Sequence, residues 1–260
     1  MEGLADNAQV LLLIFMRVTG ATSFAPVLSR QNIPAAVRAG LSLLITLIIS
    51  SVMPVGVLDV NIDYPTGVYL FMLVREALIG IILGTVTNFF FLMILFSGEI
   101  IDMQSGLGMA RIFDPANNMQ MSLYGTLYMI MLFFIYIATD SHLTYIEIIV
   151  ESLEAVPLGD AGFSPELASH AFNVFSNAFL LAVKLTLPLM VAEVAVQFAV
   201  GILMKSVPQI QIMVLNIEIK VALAIFMMFL IITPTAVFMN RYLTDWIETL
   251  QSTVQYLVYP

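Results

Sequence analysis

The sequence predicts an all-α integral membrane protein of about six hydrophobic helices. Three observations predict it. Of 260 residues, 60% are hydrophobic and only 10% are charged, whereas a soluble domain carries roughly 25% charged residues to cover its surface. Long charge-free stretches recur, each near the 20 or so apolar residues that a spanning helix needs. The links between them alternate in Lys and Arg content, as loops on opposite sides of a membrane do. Composition also excludes several classes. The chain has no cysteine, so it is no disulfide scaffold, iron–sulfur protein or cysteine-nucleophile enzyme. Nine Lys+Arg against eighteen Asp+Glu give a net charge of −9. That balance lacks the basic face on which nucleic-acid binding depends.

The first segment runs from Ala8 to Phe24 and is interrupted by Arg17. Glu2 and Asp6 precede it, and no A-x-A cleavage site follows, so it is expected to stay in the mature protein rather than act as a signal peptide. The second runs from Ala39 to Leu58, after a link carrying Arg30 and Arg38 without an acid. The next link carries Asp59 and Asp63 without a base. The third runs from Ala77 to Gly98, with Arg75 and Glu76 just ahead. These two neighbours on one helix do not face each other, so each needs a partner elsewhere.

The fourth segment runs from Pro115 to Thr139. The link beyond it holds Asp140, Glu147, Glu151, Glu154, Asp160 and Glu166, and no base. Within that link, Ile146, Ile149, Val150 and Leu153 recur at helical spacing, which predicts an amphipathic interfacial or docking helix over His142–Val156. Pro157-Leu158-Gly159-Asp160 ends it. The fifth segment spans about Phe172 to Met204, interrupted by Lys184 and Glu193 and broken at Pro188. Lys205 lies in a short turn, and the sixth segment runs from Val221 to Asn240. The bases in alternate links place both termini outside, with Arg241 in the tail running against the rule.

No catalytic constellation emerges. His142 and His170 are far apart and make no H-E-x-x-H site. Gly106-Leu107-Gly108 does not extend to G-x-G-x-x-G, because Arg111 holds the last position. No G-x-S-x-G elbow is present. The chain is expected to be no enzyme and to carry no cofactor or metal. Arg17, Arg75, Glu76, Lys184, Glu193, Glu218 and Lys220 lie in or beside hydrophobic segments. Ionisable groups there are costly in lipid and face protein or water. They suit an ion or substrate pathway, or interhelical pairing and snorkelling.

Two places break the apolar pattern. Between Ser97 and Gly125 lie three glycines, Asp114-Pro115, a tandem asparagine and four methionines, with Ile112 and Phe113 beside them. Glycine and Asp-Pro permit irregular backbone, which at membrane depth survives only inside protein or along a water-filled cavity. Methionine packs against differing shapes. The stretch reads either as a re-entrant plug or as an ordinary cytosolic loop with some buried residues. The second place is Lys205-Ser-Val-Pro-Gln-Ile-Gln211. Pro208 disfavours helix at Val207, giving a tight helical hairpin tip and an antiparallel fifth and sixth segment.

Gly106-Leu-Gly-Met-Ala-Arg-Ile-Phe-Asp-Pro115 ahead of a span resembles the signature of the FliR/SctT family of type III secretion export-gate proteins. Val207-Pro-Gln-Ile-Gln211 followed by Glu218-Ile-Lys220 is similar to the same family's C-terminal part. Phe24-Ala-Pro26, Ile33-Pro34 and Arg38 match its early pattern. The resemblance covers essentially the whole chain. It implies a fold of bent helical hairpins: a FliP-like front part over residues 1–165 and a FliQ-like hairpin with a C-terminal tail over 166–260. It implies a non-enzymatic subunit of the flagellar export gate in the bacterial inner membrane, at the flagellar basal body. The implied partners are FliP-like, FliQ-like and FlhB-like subunits, unfolded flagellar substrates and membrane lipid.

By position, the stretch of about 104–121 becomes the pore plug, with Gly106 and Gly108 giving backbone freedom. Met109, Ile112, Phe113 and Met119 would seal, while Arg111 and Asp114 would pin the closed loop to neighbours, and Pro115 belongs to the same plug. Lys205, Pro208, Gln209, Gln211 and Lys220 become the hairpin tip and its subunit contacts. Arg17, Arg75, Glu76, Lys184 and Glu193 become contacts to partner subunits or the lumen. The resemblance alone leaves open a virulence secretion subunit, SctT, although the Gly-Met-Ala-Arg-Ile-Phe-Asp-Pro form is the more flagellar one. A six-span secondary transporter built on Arg75, Glu76, Lys184 and Glu193 is the competing reading, and it lacks the internal repeat such proteins often show.

Overall fold

A computed structural model describes residues 2–25, 33–53, 65–108, 122–159, 164–206 and 212–258. All regular structure among them is helical: α1 (Glu2–Phe24), α2 (Ala35–Val52), α3 (Thr66–Ser105), α4 (Leu123–Ala138), α5 (Ser141–Ala155), α6 (Leu167–Ser206) and α7 (Ile212–Leu257). The all-α membrane architecture is therefore as the sequence predicts. Ala35–Val52, Thr66–Ser105, Leu167–Ile202 and Asn216–Leu257 are each long and apolar enough to cross a membrane. α4 and α5 together make a fifth if counted as one broken span, and Ala8–Phe24 is a shorter apolar helix.

Local chemistry sets the helix ends. α2 stops at Met53, which is extended at φ −67 and ψ 141, because the residue before a proline (here Pro54) is pushed out of the helical region. The segment expected from Pro115 begins its helix only at Leu123, where the Ser122 side chain accepts the Gly125 N–H at 2.8 Å. α4 and α5 part at Asp140, whose φ of 54 is left-handed. α5 ends at Ala155, with Val156 extended ahead of Pro157, and Gly159 follows with φ 81, a conformation that glycine adopts at no steric cost. Ahead of α6, Ser164 and a backbone N–H hydrogen-bond the Glu166 carboxylate and hold it below the usual carboxylate range.

The helices form two compact units that interleave along the chain. The first comprises Met1–Phe90, Asp140–Ser176 and Asp245–Pro260, and the second comprises Phe91–Thr139 and Asn177–Thr244. The long helices α3, α6 and α7 each contribute to both.

In the first unit α1 lies against α3 at small residues. A side chain on Gly80 would strike the Arg17 carbonyl, and one on Gly20 would come within 2.6 Å of the Ala77 carbonyl. Small residues let helices in a membrane approach closely, where packing replaces the hydrophobic drive. α2 lies on α1 with its small polar residues inward: Ser42 and Thr46 are buried, and the Thr22 and Ser42 hydroxyls are 2.8 Å apart. Its Leu44, Leu47, Ile48 and Val52 face outward. An outward apolar face of this kind meets lipid or an apolar partner.

The tail beyond Asn240 is not irregular. α7 runs on to Leu257, burying Tyr242, Leu243, Trp246, Leu250, Val254 and Leu257 at helical spacing. Trp246 donates its indole N–H to Thr87 at 3.3 Å and lies against the Tyr145 ring. Tyr145 donates in turn to the Ala21 carbonyl at 3.0 Å. His170 stacks on Tyr256, with ring centroids 4.3 Å apart.

In the second unit α3 and α4 cross at Gly98 and Gly125, where a side chain on Gly98 would run into the Gly125 backbone. Tyr124 donates its hydroxyl to the Ala224 carbonyl of α7. Phe91 packs edge-on to Tyr136 at 5.7 Å, and Phe96 packs on Phe179.

Candidate functional site

Two buried polar clusters stand out, one in each unit. In the first unit, Arg17 and Glu76 are both fully buried and form an ion pair at 2.6 Å. The guanidinium uses its whole fork. Nε donates to Glu76, one terminal nitrogen to the Ser152 carbonyl and the other to the Val156 carbonyl at 3.0 Å. The second Glu76 oxygen accepts the Gly159 N–H at 3.0 Å. The carbonyls of Ser152 and Val156 lie at the C-terminal end of α5, where the helix dipole favours a cation. The cluster therefore ties α1, α3 and the end of α5 into one knot.

The sequence-predicted residues separate accordingly. Arg17 and Glu76 were expected to face partner subunits or a lumen. Instead they face each other inside the chain, with no exposed surface left for a partner. Their further partners, Ser152, Val156 and Gly159, carry no sequence signal beyond the turn after α5. Arg75 sits over the Phe71 ring at 5.7 Å, a cation–π contact. Lys184 is exposed. On α5 the buried face is Tyr145, Ile148, Ile149, Ser152 and Leu153. It overlaps the expected stripe at Ile149 and Leu153 and is rotated from it elsewhere, and Glu147, Glu151 and Glu154 are exposed.

In the second unit the notable residue is Asp102. It is buried and stands in the last turn of α3. Its carboxylate accepts the N–H of Leu123 at 2.6 Å and of Tyr124 at 3.2 Å. Its own carbonyl accepts the Gly108 N–H at 3.0 Å. The turn that makes this possible is Gly106, at φ 80. Asp102 thus joins the end of α3 to the start of α4, through its main chain at Gly108 and through its side chain at Leu123 and Tyr124. Sequence reasoning passed over it. The available signal was an acid in an otherwise apolar helix, about twenty residues before a serine-capped span.

Gly106 and Gly108 are the expected plug residues that the structure describes. Met109, Arg111, Phe113, Asp114, Pro115 and Met119 lie outside the described residues, as do Pro208, Gln209 and Gln211 of the hairpin tip. Of the tip's other members, Lys220 donates to Gln197 at 3.1 Å. Lys205 lines a groove of about 770 Å³ with Val194, Gln197, Phe198, Gly201 and Ile202. Glu193 is fully buried one turn before Gln197, and neither carboxylate oxygen has a hydrogen-bond partner among the described residues. Among the described residues no group of three or more His, Cys, Asp or Glu is placed to hold a metal ion.

Comparison with known proteins places this architecture. Residues 8–246 match the sequence family described as "Bacterial export proteins, family 1". The chain belongs to that family. Among its relatives is the flagellar biosynthetic protein FliR of Escherichia coli (strain K12), 30% identical over 219 residues, covering 82% of this chain and 80% of the relative. FliR of Bacillus subtilis (strain 168) is 24% identical over 260 residues, 97% of each chain. FliR of Caulobacter vibrioides is 28% identical over 241 residues, 92% of this chain and 94% of the relative. The export-protein family match thus takes in both polar clusters and all seven helices at least in part.

Proposed function

We propose that this chain is a non-enzymatic, channel-forming subunit of the flagellar type III protein export gate, in the bacterial inner membrane at the flagellar basal body. The observation that carries the reading is the match to bacterial export proteins over residues 8–246, with relatives named flagellar biosynthetic protein FliR aligned over nearly their full length. In this reading a FliP-like front part and a FliQ-like C-terminal hairpin join FliP-like and FliQ-like chains around a conduit for unfolded flagellar subunits, with an FlhB-like chain alongside.

Physical features support it. α2 buries serine and threonine and turns leucine, isoleucine and valine outward. The α7 residues Phe226, Phe229 and Leu230 are likewise exposed. A chain that must be covered on nearly every side by lipid or apolar sister chains needs such faces. The glycine-bounded, methionine-containing segment after α3 is the plug of the closed conduit. Met109, Phe113 and Met119 provide its sealing contacts, and Arg111 and Asp114 hold it to neighbours.

The test is purification of a tagged chain from flagellated cells in mild detergent. FliP-like and FliQ-like chains are expected to co-purify in a fixed ratio. A monodisperse monomer that moves a small solute in liposomes would overturn the assignment in favour of a transporter.

A further inference from the structure

We infer that the outward face of α6 around Lys184 is a docking surface for an apolar helix of a sister subunit, one that carries an aspartate or glutamate level with the lysine. This rests on the proposed reading of the chain as one subunit of a larger gate, and it adds the chemistry of one contact.

Within the second unit α6 keeps two opposite stripes. Ala178, Ala182, Leu185 and Leu189 recur every three or four residues and are buried. Leu180, Lys184, Leu187 and Val191 recur likewise and are exposed. Residues at such spacing share one side of a helix. Lys184 thus stands in the middle of an outward apolar stripe, on a helix long and apolar enough to cross a membrane. Among the described residues its ammonium makes no hydrogen bond and no ion pair.

Lipid, water and protein are the three surroundings open to this stripe. A lysine escapes hydrocarbon by snorkelling from near a helix end. Lys184 is not near one: the nearest exposed polar side chains along α6 are Asn177 and Gln197, about 10 and 20 Å away along the helix axis. A water-filled conduit suits the charge and not the leucines and valine around it. A protein helix suits both. Its apolar side chains cover Leu180, Leu187 and Val191, and its carboxylate pairs with the ammonium, as charges within membranes do.

Pro188 is a second, independent sign. It lies inside α6 and is exposed, and it has no N–H to give the Lys184 carbonyl. A bare carbonyl is costly in lipid, and neighbouring helices are what usually satisfy it. The ammonium and the carbonyl of one residue therefore both call for a polar group from outside the chain.

The experiment uses the whole complex, made in its native membrane and recovered through a tag on this chain. A photo-crosslinking amino acid is placed at Leu187 and, in a separate strain, at Val191, with Lys184 left intact. Irradiation is expected to join both positions to one apolar segment of one sister chain. Mass spectrometry should find an Asp or Glu within a turn of the joined site. Adducts with lipid alone, with a second copy of this chain or with an exported subunit would overturn the docking surface. So would a joined segment that lacks an acid.

Charge is tested on the same complex. K184E sets like charges together, and recovery of that sister chain should fall about tenfold or more. K184R keeps the charge and should retain the complex. Reversing the acid found by the cross-link to lysine should restore recovery in K184E. Unchanged recovery in K184E, or no restoration by the reversal, would overturn the pairing. Should K184E fail to accumulate, the cross-links decide, since they are made with Lys184 in place. A wild-type chain that recovers no sister chain would remove the subunit reading itself, and the docking surface with it.

Discussion

Arg17 is the residue on which the first unit depends most. Its fork meets Glu76, Ser152 and Val156 at once, and all of it is buried. Truncating one partner of a buried ion pair leaves the other charge uncompensated, at a cost of about 3–5 kcal/mol. R17A should therefore destabilise the detergent-purified complex by that order, read as a lower thermal midpoint, and loosen α5. R17K should recover only part of the loss, because a lysine ammonium is a point charge without the planar fork. Removing both charges should not restore wild-type stability either, since the Val156 carbonyl and the Gly159 N–H would lose these hydrogen bonds. A full rescue by an apolar double variant would show that the pair is dispensable. At this scale the sequence was legible in part. It marked Arg17 and Glu76 as groups needing company, and it could not say that they keep company with each other. Fifty-nine residues separate them, and no pattern in the intervening chain encodes that contact.

At the scale of elements, each of the six expected hydrophobic segments overlaps a helix, yet the third and the sixth were expected too short. The third segment was expected over Ala77–Gly98, whereas α3 covers Thr66–Ser105. The sixth was expected over Val221–Asn240, whereas α7 covers Ile212–Leu257. Hydropathy stops a segment at its charges, here Arg75 with Glu76 and Arg241. A helix stops only where its backbone loses partners or meets proline or glycine. Glu76 is neutralised by Arg17 and does not interrupt α3 at all.

The continuation of α7 makes a prediction at the same scale. Tyr242, Leu243, Trp246, Leu250, Val254 and Leu257 are all buried, and each such side chain contributes about 1.5–3 kcal/mol. Their sum is comparable to the roughly 5–15 kcal/mol by which domains are usually stable. Truncation after Arg241 should therefore abolish accumulation of the folded chain, measured as protease-resistant protein in membranes. A truncated chain that accumulates and assembles normally would contradict the packing role of this tail. Asp102 marks the reverse case, a single acid that hydropathy ignores although it joins two elements.

At the scale of the whole molecule, composition spoke early and accurately. A chain with 10% charged residues has to be covered by something other than water. The inverted α2, polar inward and apolar outward, shows how that composition is used within one helix. Family membership over residues 8–246 supplies the context in which the outward faces make sense. What the sequence held back is assembly: the side chains that meet lipid and those that meet sister chains are equally apolar, so no pattern of residues separates them.

The most direct measurement is therefore the structure of the purified gate by electron cryo-microscopy. The account predicts this chain within a ring of FliP-like and FliQ-like chains, with residues 109–121 across the closed conduit. A ring that excludes this chain, or one in which residues 109–121 lie on the outer surface away from the conduit, would contradict it.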